Sequence, residues 1–216
     1  MYVYSLPDGS GFPSSKIISF SGSALSPSRQ IRPLQVTRPA AINSSAFRLD
    51  PKVPLIVPEV NPEDAKNHKG IISNPNCSTI ITVTAVNALN KLSPIKSMVA
   101  STYQAVSGAG VAGMAELENQ VKALQEGKDV DVKTFAYQIA YNLIPQIGGE
   151  QFEGYTSEEM KMQNEGRKIM HLPELKVSCT CVRVPVIRSH SISATVLFDR
   201  PVSVAQAREV LAKAPG

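Results

Sequence analysis

Cys77 lies in SNPNCST, where Asn74 and Pro75 read as the cap and first position of a helix. Ile81, Ala85, Leu89 and Leu92 continue that helix at the right spacing. A cysteine in a first helical turn faces unpaired backbone N–H groups and the positive end of the helix dipole. Both favour the thiolate, which is the nucleophilic form. The same N–H groups can hold the oxyanion formed when a thiolate adds to a carbonyl. A buried small hydrophobe is the plainer account of a lone cysteine, but the polar neighbours Asn74 and Asn76 weigh against it. Of three histidines, His68 reads as a solvated loop residue and His171 as a cation at a helix end. His190 falls in VIRSHSIS, a polar loop between two strands, where catalytic groups often sit. Cysteine with histidine makes a nucleophile–base pair, although spacing alone does not bring these two together.

Further charged residues ask for partners. Arg183 sits in the apolar strand CVRVPV, so it needs an anion or a pocket, and a carboxylate suits its fork geometry. Glu158 and Lys161 are three apart and share a helix face, where a solvent ion pair is the ordinary account. Arg48, in NSSAFRLD, reads by pattern alone as a solvated loop arginine. Cys179 and Cys181 alternate along a strand and point to one face. With no nearby ligands to complete a metal site, they read as core residues, and no metal is expected.

The elements that position these residues alternate between strands and helices. Strands are expected at 17–20, 71–73, 97–106, 177–188 and 193–198. A helix with the stripe Met114, Leu117, Val121 and Leu124 closes at Gly127. Thr156-x-x-Glu159 and Ser203-x-x-Gln206 are capping boxes that open two more. Residues 5–15, rich in Pro, Gly and Ser, read as turns. SGSALSPSRQ reads as a polar loop, and Pro33 and Pro39 rule out a long helix there. The class is therefore α+β or α/β. The 216 residues carry a net charge of +4 without basic runs, which gives no reason to expect nucleic acid or an anionic membrane surface. A 43% apolar content supports a core, yet no apolar stretch is long enough to span a bilayer. No secretory leader is read at the N-terminus, and three cysteines are too few for a disulfide scaffold, so a cytoplasmic location is expected.

Taken together, NSSAFRLDPKVPLIVPEVNPE (43–63), SNPNCST (73–79), STYQAVSGAG (101–110), YNLIPQIG (141–148), EEMKMQNEGRKIM (158–170) and SCTCVRVPVIRSHS (178–191) resemble aspartate-semialdehyde dehydrogenase. The resemblance implies NADPH-dependent reduction of aspartyl 4-phosphate to the semialdehyde, with phosphate released. It makes Cys77 the nucleophile that becomes a thioacyl enzyme and His190 the acid/base. It gives Gln104 to substrate positioning, Arg183 to the substrate carboxylate and Glu158 to its amino group. Arg48, Asn76 and Lys161 go to phosphate, and Ser107 and Gly108 to the nicotinamide. It implies a catalytic and dimerisation domain over 73–216, with a mixed sheet flanked by helices. Residues 1–72 would be a remnant of a Rossmann-type nucleotide-binding domain, and the assembly a homodimer or homotetramer. Three departures stand out. Gly9 and Gly11 are not preceded by a strand pattern of the kind that opens a dinucleotide fold. Ile42 stands where the family usually has Asp before Asn-Ser-Ser, and the family's C-terminal tail is not matched. NADP is therefore expected to bind weakly or not at all. A catalytically inactive dimerising module is the alternative, and a cofactor-free thioacyl esterase a third reading.

Overall fold

The computed structural model describes residues 39–216, together with the backbone of two earlier strands, β1 (Tyr2–Ser5) and β2 (Lys16–Ser21). The turns read from residues 6–15, and the polar loop and Pro33 within 22–38, lie outside the described residues. The run at 17–20 is a strand as expected, and the alternating Tyr2-Val3-Tyr4 forms one that was not.

A mixed five-stranded sheet organises the chain. At its centre, β5 (Ile95–Gln104) pairs in parallel with β8 (Lys176–Arg183) and antiparallel with β9 (Ser191–Phe198), whose other edge takes β2 and then β1. β5 alternates strictly over most of its length. Met98, Ala100, Thr102 and Gln104 face inward, while Val99 and Tyr103 face outward. Lys96 is an extra residue at a bulge near its start, so the strand begins two residues earlier than the alternation predicts. Strand β8 stops at Arg183 rather than Arg188, because Pro185 has no N–H to continue the ladder. The register sets Gln104 opposite Arg183, so two of the candidate residues leave the sheet at the same end.

Helices α1 (Cys77–Asn90), α3 (Ser157–Ile169) and α4 (Val204–Ala212) cover one face of this sheet. Their apolar residues Val83, Leu89, Met162, Ile169 and Ala207 pack with Met98, Ala100, Ile192 and Ala194. Cys179 and Cys181 belong to this core, as their alternation predicts, with sulfur atoms 3.7 Å apart. Helix α2 (Gly110–Gln125) presses Leu117 onto a second cluster with Val106, Ile139 and Ile144. Before α1, β3 (Ala40–Ile42) and β4 (Ile71–Ser73) form a small parallel pair. A short hairpin, β6 (Glu150–Phe152) and β7 (Tyr155–Thr156), leads into α3. Among the described residues no helix is long and apolar enough to cross a membrane.

Both capping boxes form as spaced. The Thr156 hydroxyl accepts the Glu159 N–H, and the Glu159 carboxylate reaches back to the Thr156 N–H at 2.7 Å. Because α3 carries several residues of the candidate site, this cap fixes where they start. Thr156→Ala is expected to lower unfolding stability by about 1 kcal/mol in urea titration.

Candidate active site

Helix α1 begins two residues later than expected, at Cys77, because Asn76 rather than Asn74 is the cap. Its Oδ1 accepts the N–H groups of Ser78 at 3.0 Å and Thr79 at 3.3 Å. Cys77 is thus the first helical residue, and it is exposed to a cavity of about 640 Å³. Arg48, Asn76, Gln104, Glu158, Lys161 and Arg183 line the same cavity. His190, at the head of β9, brings Nε2 to 3.2 Å from Cys77 Sγ, although the two are 113 positions apart. Its Nδ1 accepts the N–H of Ala105 at 3.0 Å. Ser189, just before it, takes φ 75, a tight reversal that swings the imidazole back from the β9 edge.

Three cations face the cavity, in different states. The Arg48 guanidinium is buried and bonded to Glu165 Oε1 at 3.1 Å and to the Asn43 carbonyl. The solvated loop reading of Arg48 therefore gives way: the segment folds under α3 and finds a carboxylate there. Lys161 pairs with Glu158 at 2.8 Å. Arg183 is buried at 7% exposure and donates to the Ala105 carbonyl at 2.6 Å, with its guanidinium 5.8 Å above the Phe135 ring. Among the described residues it pairs with no carboxylate, which leaves most of its donors for an incoming anion.

Glu158 is the hub. Its Oε1 accepts from Asn76 Nδ2 at 2.8 Å and Gln104 Nε2 at 3.1 Å, and its Oε2 takes Lys161. Burial opposes its ionisation, but those hydrogen bonds and the Lys161 charge outweigh it and hold the carboxyl below its usual range. The Cys77 thiol goes the other way. The protein packed around the thiol strips part of its hydration, and with the Glu158 charge this outweighs the hydrogen bonds of the helix start and pushes the thiol up. The low thiol pKa expected from the helix dipole is thus not found in the free site. Burial, then the Arg183 charge, lower the pKa of His190, so its imidazole is neutral near neutral pH.

Of the pair expected beside a cofactor, Gly108 is on the cavity wall, while Ser107 is half-buried and off it, its N–H bonded to Ile187 O. A Cβ at Gly108 would lie 2.9 Å from Arg183 Nη1 and 3.5 Å from the His190 ring, so glycine keeps that wall thin. His68 is not simply solvated, because its Nδ1 accepts the Gly70 N–H. His171 pairs with Asp64 beyond the end of α3.

Two positioning residues escaped the sequence reading. Glu165 is 1% exposed and bridges Arg48 to the N–H of Asn76, the residue before Cys77, at 2.7 Å. Lys168 donates to the carbonyls of Arg48, Asp50 and Val53 and so fastens the Arg48 segment to α3. The signal was the 3-4-3 spacing of Glu158, Lys161, Glu165 and Lys168, one charged stripe on one face. A charged stripe normally reads as a solvated surface.

The site is thus a cysteine at a helix start, facing a histidine and an arginine that has no carboxylate partner among the described residues, on an α/β domain with a mixed sheet. The family model for the semialdehyde dehydrogenase dimerisation domain matches residues 86–216, and the chain belongs to that family. It is 53% identical over 177 residues to the aspartate-semialdehyde dehydrogenase of Aquifex aeolicus, covering 81% of this chain and 52% of that one. It is 42% identical over 212 residues to that of Synechocystis, covering 97% and 62%. Thus the chain spans roughly half to three-fifths of the length of these relatives. Among solved structures, the Vibrio cholerae aspartate semialdehyde dehydrogenase II complexed with ASA superimposes with TM-score 0.80 at 42% identity, over 82% of this chain and 53% of that one. The Candida albicans enzyme with NADP gives 0.57 at 28%, over 80% and 48%.

Cys77 is the accessible thiol, while Cys179 and Cys181 are in the core. Limiting iodoacetamide should label Cys77 first, with a rate that climbs through alkaline pH because its thiol pKa is raised. Glu158→Gln removes the nearby charge, so the rate–pH profile should move to lower pH and labelling at neutral pH should quicken several-fold. Preferential labelling of Cys179, or a profile unmoved by that substitution, is the contrary result.

Proposed function

We propose that this chain carries the acyl-transfer site of an aspartate-semialdehyde dehydrogenase. The observation that carries the reading is the 3.2 Å approach of Cys77 Sγ to His190 Nε2, beside an Arg183 without a carboxylate partner among the described residues. The thiolate of Cys77 attacks the acyl carbon of aspartyl 4-phosphate. A carbon–sulfur bond forms, the carbon–oxygen bond to phosphate breaks, and phosphate leaves with the electron pair, so Cys77 holds a thioacyl group. Arg183 receives the substrate carboxylate in bidentate fashion, and Gln104 next to it in register orients the chain of the substrate. Glu158 is the acceptor for the substrate ammonium, which must share the carboxylate with Asn76, Gln104 and Lys161. Arg48, Lys161 and the remaining Asn76 amide hydrogen receive the phosphate.

Reduction of the thioacyl group calls for a hydride from reduced nicotinamide, which is what NADPH supplies when bound. The residues here suit one end of that cofactor, since bare Gly108 leaves room beside Arg183 and His190 that a Cβ would fill. We assign residues 73–216 to the catalytic and dimerisation domain and the parallel β3–β4 segment to a nucleotide-binding one. The pairing of β2 with β9 associates residues 16–21 with the former sheet.

The half-reaction is separable from the cofactor. Aspartyl 4-phosphate without NADPH should add one aspartyl group to the chain, seen by intact mass, and release one phosphate. Cys77→Ser should abolish this. Arg183→Lys should slow it at least tenfold with aspartyl phosphate yet barely with acetyl phosphate, which has no carboxylate for Arg183 to hold. Equal slowing with both substrates would remove Arg183 from carboxylate recognition, and absence of any adduct would overturn the reading.

The outward face of the sheet supports a dimer. Val99 is 58% exposed, Tyr103 45% and Leu197 41%, an apolar patch on the side the helices leave uncovered. Val99→Lys with Tyr103→Lys should give a folded monomer in sedimentation, where the unaltered chain gives a dimer. An unchanged mass would place the interface elsewhere.

A further inference from the structure

We propose that Glu165 is a positioning residue with two separable tasks. One carboxylate oxygen steadies the helix start that carries Cys77. The other takes part of the Arg48 charge and so loosens the hold of the cavity on phosphate. The proposal rests on the reading of Arg48 as a phosphate ligand and gives that ligand a built-in competitor.

The bonds divide between the two oxygens. Oε2 accepts the backbone N–H of Asn76 at 2.7 Å, and Asn76 in turn caps α1 through the N–H groups of Ser78 and Thr79. Oε1 accepts Arg48 Nη1 at 3.1 Å. Both partners are donors, so each oxygen must offer a lone pair. An ionised carboxylate does this with both of its oxygens, whereas an amide has one acceptor oxygen and an NH₂. Glu165 is 1% exposed and is not among the residues that line the cavity. It acts through Arg48 and Asn76, which are.

Stability alone does not account for this charge. Burial opposes the Glu165 carboxylate by more than the Asn76 bond and the Arg48 charge offset. A buried ion pair held against such opposition is weak evidence of a stabilising device. Its other consequence falls on the anion. Arg48 Nη2 donates to the Asn43 carbonyl, and Nε is buried with no partner among the described residues. The guanidinium therefore keeps donors for an incoming anion, yet it already faces a carboxylate. Lys161, the second cation at that end, pairs with Glu158 and also feels the Glu165 charge. Phosphate held by Arg48 and Lys161 is thus repelled by Glu165 from behind the guanidinium.

Charge and reach can be removed one at a time. Glu165→Gln keeps the shape and loses the charge. Its one carbonyl oxygen turns to the guanidinium, the stronger donor, and sets NH₂ against the Asn76 N–H. Glu165→Asp keeps the charge and loses the length needed to hold both partners. Two readouts need neither aspartyl phosphate nor cofactor. One is the concentration of inorganic phosphate that half-protects Cys77 from iodoacetamide at constant ionic strength. The other is amide hydrogen exchange over residues 76–79, followed by mass spectrometry. In Glu165→Gln the half-protecting concentration should fall about tenfold, while exchange quickens roughly fivefold or more. In Glu165→Asp exchange should quicken with no gain in protection. A residue that only held the fold together would weaken protection in both. Protection weakened or unmoved in Glu165→Gln, exchange unmoved there, or protection tightened as much in Glu165→Asp, overturns the proposal. So does an unaltered chain that phosphate does not protect. Should Glu165→Gln fail to fold, tightened protection or unmoved exchange in Glu165→Asp still overturns it. The aspartyl adduct answers separately. A chain with the opposed shifts and no adduct keeps this inference and loses the acyl-transfer reading, and a chain that takes the adduct without those shifts does the reverse.

Discussion

Asn76 is the joint on which the site depends. Its backbone N–H is held by Glu165, its amide nitrogen by Glu158, and its amide oxygen caps the helix that Cys77 begins. Every one of these bonds involves a buried group, and leaving one unmade costs on the order of 1–3 kcal/mol, which makes the arrangement stiff. Because Glu158 and Glu165 both come from α3, that helix sets the height and tilt of α1 at its first turn. The capped start of α3 thereby governs where a thiolate can point. The positioning is rigid because a helix N-terminus, with its four free N–H groups, must be satisfied by something specific.

The charges in the cavity follow from the same two carboxylates. Arg48 and Lys161 each face an acid from α3, so in the free site they are nearly neutral pairs. In the proposed reading an incoming phosphate would have to share them, which would limit its affinity and ease its departure after acyl transfer. Arg183 is different. It rests on a carbonyl and an aromatic ring, partners that satisfy some donors without cancelling its charge. A buried, uncancelled guanidinium is costly to keep, and a carboxylate would relieve that cost. In the proposed reading this contrast would sort the two ends of an aspartyl phosphate, with a firm hold on the carboxylate and a loose one on the phosphate. The Glu158 charge that helps hold Asn76 and Lys161 is also one of the two effects that raise the Cys77 thiol. An ammonium drawn to Glu158 would offset that charge, so substrate binding itself would favour the thiolate.

Much of the frame was legible in local chemistry. The capping boxes at Thr156 and Ser203 formed as spaced, and the alternation of Cys179 and Cys181 put both in the core. Arg183 stood out because an apolar strand has no use for an unpartnered cation. What stayed hidden was what long loops bring together. Glu165 looked like one more charge on an amphipathic helix, since nothing near it in sequence points to Arg48, 117 positions away. Arg48 looked solvated for the same reason. The Asn74–Asn76 choice was ambiguous because either can cap and Pro75 suits a first turn. Tertiary contacts decided it: Asn74 bonds Asn43, while Asn76 is claimed by α3. The direction of the Cys77 shift also needed the folded chain. A helix start lowers a thiol pKa only where solvent and neighbouring charge allow it, and here Glu158 is a neighbour.

Backbone, rather than side chain, completes the site. Ala105 contributes no functional group, yet its N–H orients His190 and its carbonyl takes Arg183 at 2.6 Å. One peptide segment, where β5 breaks into a turn, therefore sets the imidazole and the guanidinium relative to each other. Gly108, three residues on, lies against both, and the absence of a Cβ lets the turn close on them. Such contacts come from the backbone at 105 and demand one path, φ −61 and ψ 154. The path in turn is fixed by the parallel register of Gln104 with Arg183 and by the Val106 and Ser107 N–H bonds to the strand's continuation after Pro185. The approach of Cys77 to His190 thus rests on sheet geometry as much as on the helix that Cys77 begins. An alanine thus positions both the imidazole and the guanidinium, although its identity alone suggests no part in the site.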